Sequence, residues 1–314
     1  MELGDQNNHL TSEGVVSNIQ LGTPLAEAIE KEVDAALKAA GIHEIGCFGW
    51  LNENDVDPDY IGHAMWQTDQ PQLDLHSLFE GLPNRRPPDI EKLILTVGED
   101  FCALMQVSRL SLGLSLLWQP KAARDVLNDN QFFWLHHTDT FLKMAIASDR
   151  LRDLLVLACT GGEPGCYKNL HRHNRRYVTP FSEAENILVN RGITDERALK
   201  PTVGLSANAL KIFSYIDRRN EIVHSIATRM ARTVHGNVAK LQSDYDSQVV
   251  HGLPPKQDRS EWMPIAEARM QELRCEIQTA ADELKEWYLL LIDTSNLVFQ
   301  VEHWARKLSA GVDP

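Results

Sequence analysis

Residues 206–242 read SANALKIFSYIDRRNEIVHSIATRMARTVHGNVAKLQ. With Ile212 set at zero and about 100° turned per residue, Ile216, Val223, Ile226, Met230, Val234 and Leu241 all fall within about 40° of it. Such a stripe is the core face of a long amphipathic helix. One charged residue stands inside it, Arg219 at about −20°. A guanidinium does not lose its proton, and burying one without a counter-charge is costly. Arg219 must therefore meet an anion, either a carboxylate of the protein or something bound in a cleft. Asn220 and His224 follow on the flank of the stripe, one turn apart, so the amide can hydrogen-bond the imidazole.

Outward from this helix the chain keeps the same character. Asn130 to Cys159 is a long apolar-rich stretch stopped by Thr160-Gly161-Gly162 and then Pro164. Before it, Asp89 to about Trp118 forms another, interrupted by Gln119-Pro120. Short helical pieces are expected near Ser182–Asn190 and Asp195–Lys200, and a fourth long helix, bent somewhere, over Ser260–Leu308. Thr23-Pro24 opens a further helix that ends at Gly41. From Gly41 to Pro88 glycine and proline break up any period, with short strands expected around Gly46–Leu51. Pro83-Asn-Arg-Arg-Pro-Pro88 marks the boundary. The reading is all-α: a bundle of long antiparallel helices over residues 89–314, preceded by a less regular acidic N-terminal region over 1–88.

Charge divides along the same line. The 314 residues carry 31 Lys+Arg against 44 Asp+Glu, a net of −13. Residues 1–86 hold 15 acidic and 4 basic side chains, a net of −11. Between Gly165 and Lys240 the balance reverses to 13 basic against 6 acidic. Its densest piece, Lys168-Asn-Leu-His-Arg172-His-Asn-Arg175-Arg176, reads as a solvated loop or as a phosphate-contacting patch. A local field can attract nucleic acid even on an acidic protein, because salt screens charges beyond about 10 Å. The composition excludes a disordered acidic chain and a disulfide-framework miniprotein. Five scattered cysteines without a CxxC pair fit reduced thiols. The polar N-terminus has no secretory pattern, and the apolar runs fall short of a membrane span. A cytoplasmic protein with no membrane partner is expected.

Arg219-Asn-Glu-Ile-Val-His224 resembles the Arg-Asn-x-x-x-His form of the signature of the HEPN superfamily (higher eukaryotes and prokaryotes nucleotide-binding). Residues 130–240 carry the resemblance best, as a long helix, a connector and a second long helix bearing the motif. Asparagine directly after the arginine, inside a long amphipathic helix, gives the match its specificity; the Arg–His spacing alone does not. The resemblance implies a HEPN-like helical bundle and a metal-independent endoribonuclease of host-defence or toxin–antitoxin type, acting as a homodimer on RNA. It also implies a regulatory protein partner, or else a non-catalytic dimerisation or RNA-binding module. Arg219 would hold the phosphate, His224 would move the proton and Asn220 would orient one of them. Lys168, Arg172, Arg175 and Arg176 would guide RNA. Asp149 and Asp153 would support Arg219, or else pair with Arg150 and Arg152 on their own helix. Where some toxin members carry a tyrosine two residues after the histidine, Ile226 stands here.

No metal or cofactor is expected. Glu221-x-x-His224 is half of a di-iron pattern, but the chain has no second Glu-x-x-His. Asp55-Val-Asp57-Pro-Asp59 begins like a calcium loop, yet Tyr60 and Trp66 occupy the positions that need Gly and Glu. His136 and His137 are adjacent and so project to different sides of a helix. Cys166, near Lys168 and His171, has no readable triad.

Overall fold

The computed structural model describes residues 24–42, 88–124, 130–162, 179–234, 251 and 259–309, with side chains along the fifth helix described as far as Ile216. Among the described residues there are six helices and no strand: α1 (Pro24–Ala39), α2 (Pro88–Arg124), α3 (Asn130–Thr160), α4 (Thr179–Asn190), α5 (Glu196–Val234) and α6 (Arg259–Ser309). The all-helical expectation holds there. The expected strands near Gly46–Leu51 lie outside the described residues.

Local sequence sets several of these ends. In α1, Gly41 takes φ of +78°, Gly41 N donates to Lys38 O and Ile42 N donates to Leu37 O. Gly192 and Ile193 repeat the arrangement after α4, with Gly192 at φ +82°. Each is a left-handed glycine cap that returns two carbonyls to partners, while the isoleucine behind it is buried.

Two prolines do not end helices. α2 continues through Pro120 to Arg124, and Pro201 lies inside α5, joining the expected 195–200 piece to the long helix beyond it. A proline removes one ladder hydrogen bond, and packing here offsets it. Trp118 stacks on Phe132 at 4.7 Å, Ala122 is fully buried, and Arg274 Nε donates to Ala123 O at 3.0 Å.

α3 lies at the centre, touching α2, α4, α5 and α6. Every residue from Leu154 to Thr160 is buried, as in a helix apolar on all sides. The main core joins Phe101 and Met105 of α2, Met144 and Leu151 of α3, Phe181 of α4, Ile212 of α5 and Trp287 and Leu291 of α6. Val33 and Leu37 of α1 pack into that same core, and Asp34 pairs with Arg109 at 2.9 Å. A smaller cluster around Phe133, Trp134 and Ile277 joins the start of α3 to α6. Within α2 the stretch Lys92–Arg124 is, against the sequence expectation, long and apolar enough to cross a membrane by length and composition. Its Ile94, Phe101, Met105 and Leu112 are buried in the core.

Candidate functional site

The motif rides on α5, and α5 is fixed at its start. Asp195 precedes the first turn and accepts from Arg197 N at 2.8 Å, while its other oxygen takes Arg197 Nη2 at 2.8 Å. The Arg197 side-chain hydrogen bond holds the Asp195 carboxyl down at about 2. Arg197 in turn lies 4.5 Å over the Trp304 ring of α6.

Further along, α5 packs on α6 in steps. A Cβ on Gly204 would meet the end of the Leu297 side chain at 2.7 Å, so the two helices come close here and a side chain at 204 would make Leu297 shift. Asn208 Nδ2 donates to Thr294 Oγ1 at 3.1 Å. Tyr215 stacks on Trp287 with ring centres 5.1 Å apart and 10° between planes. Residue numbers rise along α5 as they fall along α6. Phe141 of α3 meets the same Trp287 ring at 4.7 Å.

Arg219 follows Tyr215 by four residues, about 6 Å of helix, and Asn220 and His224 come next on helical backbone that continues to Val234. The side chains of Arg219, Asn220 and His224 lie outside the described residues. So do Lys168, Arg172, Arg175 and Arg176, and Cys166.

Asp149 and Asp153 are described, and they pair along α3. Arg152 meets Asp149 at 3.2 Å and Asp153 at 2.9 Å, and Arg150 reaches Asp153 at 4.0 Å and Asp100 of α2 at 3.4 Å. Along α3, Phe141 stands by Trp287, and Cys159 is close enough to Glu302 to feel its charge. α3 therefore rises in the same sense as α6.

Of the adjacent histidines, His137 is buried among Phe133, Trp134 and Phe141. Burial, partly opposed by Asp139, lowers the His136 pKa, and Lys143 lowers it further. Asp139 accepts from Lys143 and Ser111. Among the described residues no three His, Cys, Asp or Glu side chains converge as a metal site.

Sequence reading missed a polar cluster inside the core. Arg306 and Glu302, one turn apart on α6, are 1% and 0% exposed and joined at 3.0 Å. Arg191, at the end of α4, donates to Cys159 O at 2.7 Å. Burial pushes the Cys159 thiol up to about 12, with Arg191 opposing and Glu302 reinforcing. The signal was present as Glu302-x-x-x-Arg306, an i,i+4 charge pair on the apolar-rich helix end from Leu297 to Leu308.

Comparison of the chain with protein-family models, with characterised proteins and with solved structures finds no match.

Proposed function

We propose that the protein is a metal-independent endoribonuclease of HEPN type, built as a bundle of long antiparallel helices and working as a homodimer in host defence or a toxin–antitoxin pair. The observation that carries the reading is the continuous helix α5. It runs helical through Arg219, Asn220 and His224, in an all-helical surround, one turn past a rigid Tyr215–Trp287 stack. In the proposed reaction the ribose 2′-OH attacks phosphorus and the P–O5′ bond breaks. His224 takes the 2′ proton, as an imidazole can at neutral pH, and the His224 of the second copy protonates the leaving oxygen. Arg219 stabilises the charge on the phosphoryl oxygens. Asn220 orients the imidazole, and Lys168, Arg172, Arg175 and Arg176 steer RNA in. The products are a 2′,3′-cyclic phosphate and a 5′-hydroxyl. The setting is a reducing cytoplasm.

The outer face of α5 supports the dimer. Val203 is 67% and Leu210 73% exposed. They stand at heptad steps before His224, on a stripe that drifts only about 20° per heptad. A copy packed there would bring the two His224 positions toward one axis.

The test is cleavage of a mixed RNA by the purified full chain in EDTA. Expected are cyclic-phosphate ends, and activity lost at least a hundredfold in His224→Ala. Equal cleavage by that variant, or none by the wild type, removes the ribonuclease reading. A non-catalytic helical module is the second reading. What favours it is that the part of α5 before the motif packs on α6 through Gly204, Asn208 and Tyr215, as a structural helix does.

A further inference from the structure

α2 already takes one helix on its flank. Val33 and Leu37 of α1, one turn apart, close on Gly113 and leave no room there for a Cβ. Asp34 beside them pairs with Arg109 at 2.9 Å. Apolar anchors one turn apart and a single rim charge seat that helix.

The next face of α2 offers more and is left exposed. Val107 and Leu110 are exposed, and Leu114 and Leu117 half-buried. At about 100° per residue the four fall within about 80° of arc. On α3, Phe132, Leu135 and Ile146 are exposed and Leu142 is half-buried. They span a similar arc, about 80°. Trp118 stacks on Phe132, Ser111 meets Asp139 and Asp100 meets Arg150, so residue numbers rise along α2 as they fall along α3. The two stripes lie side by side as one apolar strip, about 21 Å long from position 103 to position 117 of α2. The polar groups in its middle are joined to each other. Ser111 donates to Asp139 at 2.5 Å and accepts from Lys143 at 2.9 Å, and Lys143 also pairs with Asp139. Covering them strands no charge.

The width of the strip and its two ends define what fits. The Asp34–Arg109 pair borders it on the α1 side, and Gln131 and Thr138 border it on the far side of α3. The apolar surface between is one groove wide, on the order of several hundred Å², less than the roughly 800 Å² that each copy gives to a stable dimer. One end carries Arg124 and Lys121, which lies 4.5 Å over the Trp118 ring. Around the other end stand Glu99, Asp100, Asp149 and Asp153, against the guanidiniums of Arg150 and Arg152.

We propose that this strip is a docking groove for one amphipathic helix of a partner protein, about four turns long. Its apolar anchors follow the i, i+3, i+4, i+7 spacing, its first turn is basic and its last turn acidic. That polarity sets the partner's charges and its helix dipole against the opposite charges at each end of the groove. None of the groove belongs to α5, so it stands whether or not the protein cleaves RNA.

The test uses the purified full chain and two synthetic fluorescent peptides of about 18 residues. Both carry the same leucines at that spacing. One has lysines in its first turn and glutamates in its last, and the other has them exchanged. By fluorescence anisotropy the first should bind about tenfold tighter than the second, with a preference that shrinks as salt is raised. Leu110→Asp with Leu135→Asp should weaken that binding about tenfold or more while helical circular dichroism stays unchanged. Lys121→Glu with Arg124→Glu should remove most of the preference, and Val203→Asp with Leu210→Asp should leave binding as it is. No binding of the first peptide at about 100 μM, equal binding of both, or binding untouched by Leu110→Asp with Leu135→Asp overturns the groove. Should that double variant fail to fold, the Lys121→Glu with Arg124→Glu chain decides, and an unaltered preference overturns the proposal. Self-association of the wild type that Leu110→Asp with Leu135→Asp abolishes gives the face to a second copy and overturns it as well.

Discussion

Cys159 shows how one residue's surroundings decide its chemistry. Its thiol is enclosed by α3's own apolar turn, its carbonyl is held by Arg191, and the buried Glu302 lies near enough to disfavour a second negative charge. Each cause except Arg191 acts against the thiolate, and the thiolate is the nucleophile. At pH 8, maleimide followed by peptide mapping should label Cys275, which is exposed, and spare Cys159 and Cys102, both buried, until denaturant is added. Labelling of native Cys159 at a rate like that of Cys275 would contradict the burial. The folded pKa lies above the ordinary value of 9.0, so the thiol's contribution to stability is complete below about 9 and is lost as pH climbs toward about 12. The neighbouring Glu302–Arg306 pair obeys the rule that singled out Arg219: a fixed charge in apolar surroundings is matched locally. Sequence reading applied that rule to Arg219 and passed over Arg306, whose partner stands within one turn of the same helix.

At the scale of the element, α5 depends on its first turn. Asp195 accepts from Arg197 N, and its backbone carbonyl accepts from Ala198 and Leu199, so it closes a helix end that would otherwise leave donors unsatisfied. Asp195→Ala should cost about 1 kcal/mol, the usual worth of such a cap, and lower the melting midpoint by a few degrees. The accompanying ion pair adds little, since Arg197 is 41% exposed. The depressed carboxyl works in the acid direction. Its stabilisation is present above the ordinary value of 3.8 and disappears as pH falls toward about 2. The wild type and Asp195→Ala should therefore draw together as pH falls below 4 and converge in stability only below about pH 2; a constant gap across that range would place the effect elsewhere. Caps of this kind, like Gly41 and Gly192, are legible in sequence because they act within a few residues. The passage of α2 through Pro120 was not legible. It rests on Phe132 against Trp118, on a buried Ala122 and on Arg274, two of which come from other helices.

For the whole molecule, hydrophobic period gave the helix content and most helix spans, because that signal is local and repeated over many turns. How helices are placed against each other was not written in any one of them. Asp149 and Asp153 looked suited to Arg219 when only their presence on the preceding long helix was known. In the structure both pair along their own helix, with Arg150 and Arg152. The surface poses the same question for the dimer. Large exposed apolar residues occur on the outer side of α5, as Val203 and Leu210, and on α2 and α3, as Val107, Leu110 and Leu135. Only the first set stands at heptad steps from position 224, so on the proposed homodimer a two-fold axis that pairs these positions would pass near it. Gel filtration with light scattering at micromolar concentration should give a dimer for the wild type. Val203→Asp with Leu210→Asp should give a monomer of unchanged helical circular dichroism and no RNA cleavage. Val107→Asp with Leu110→Asp should remain dimeric. A dimer that survives the α5 pair and dissolves with the α2 pair would move the interface to the opposite set. On the proposed reaction the two His224 positions would then no longer share one axis, and the acid that protonates the leaving oxygen would have to come from another residue.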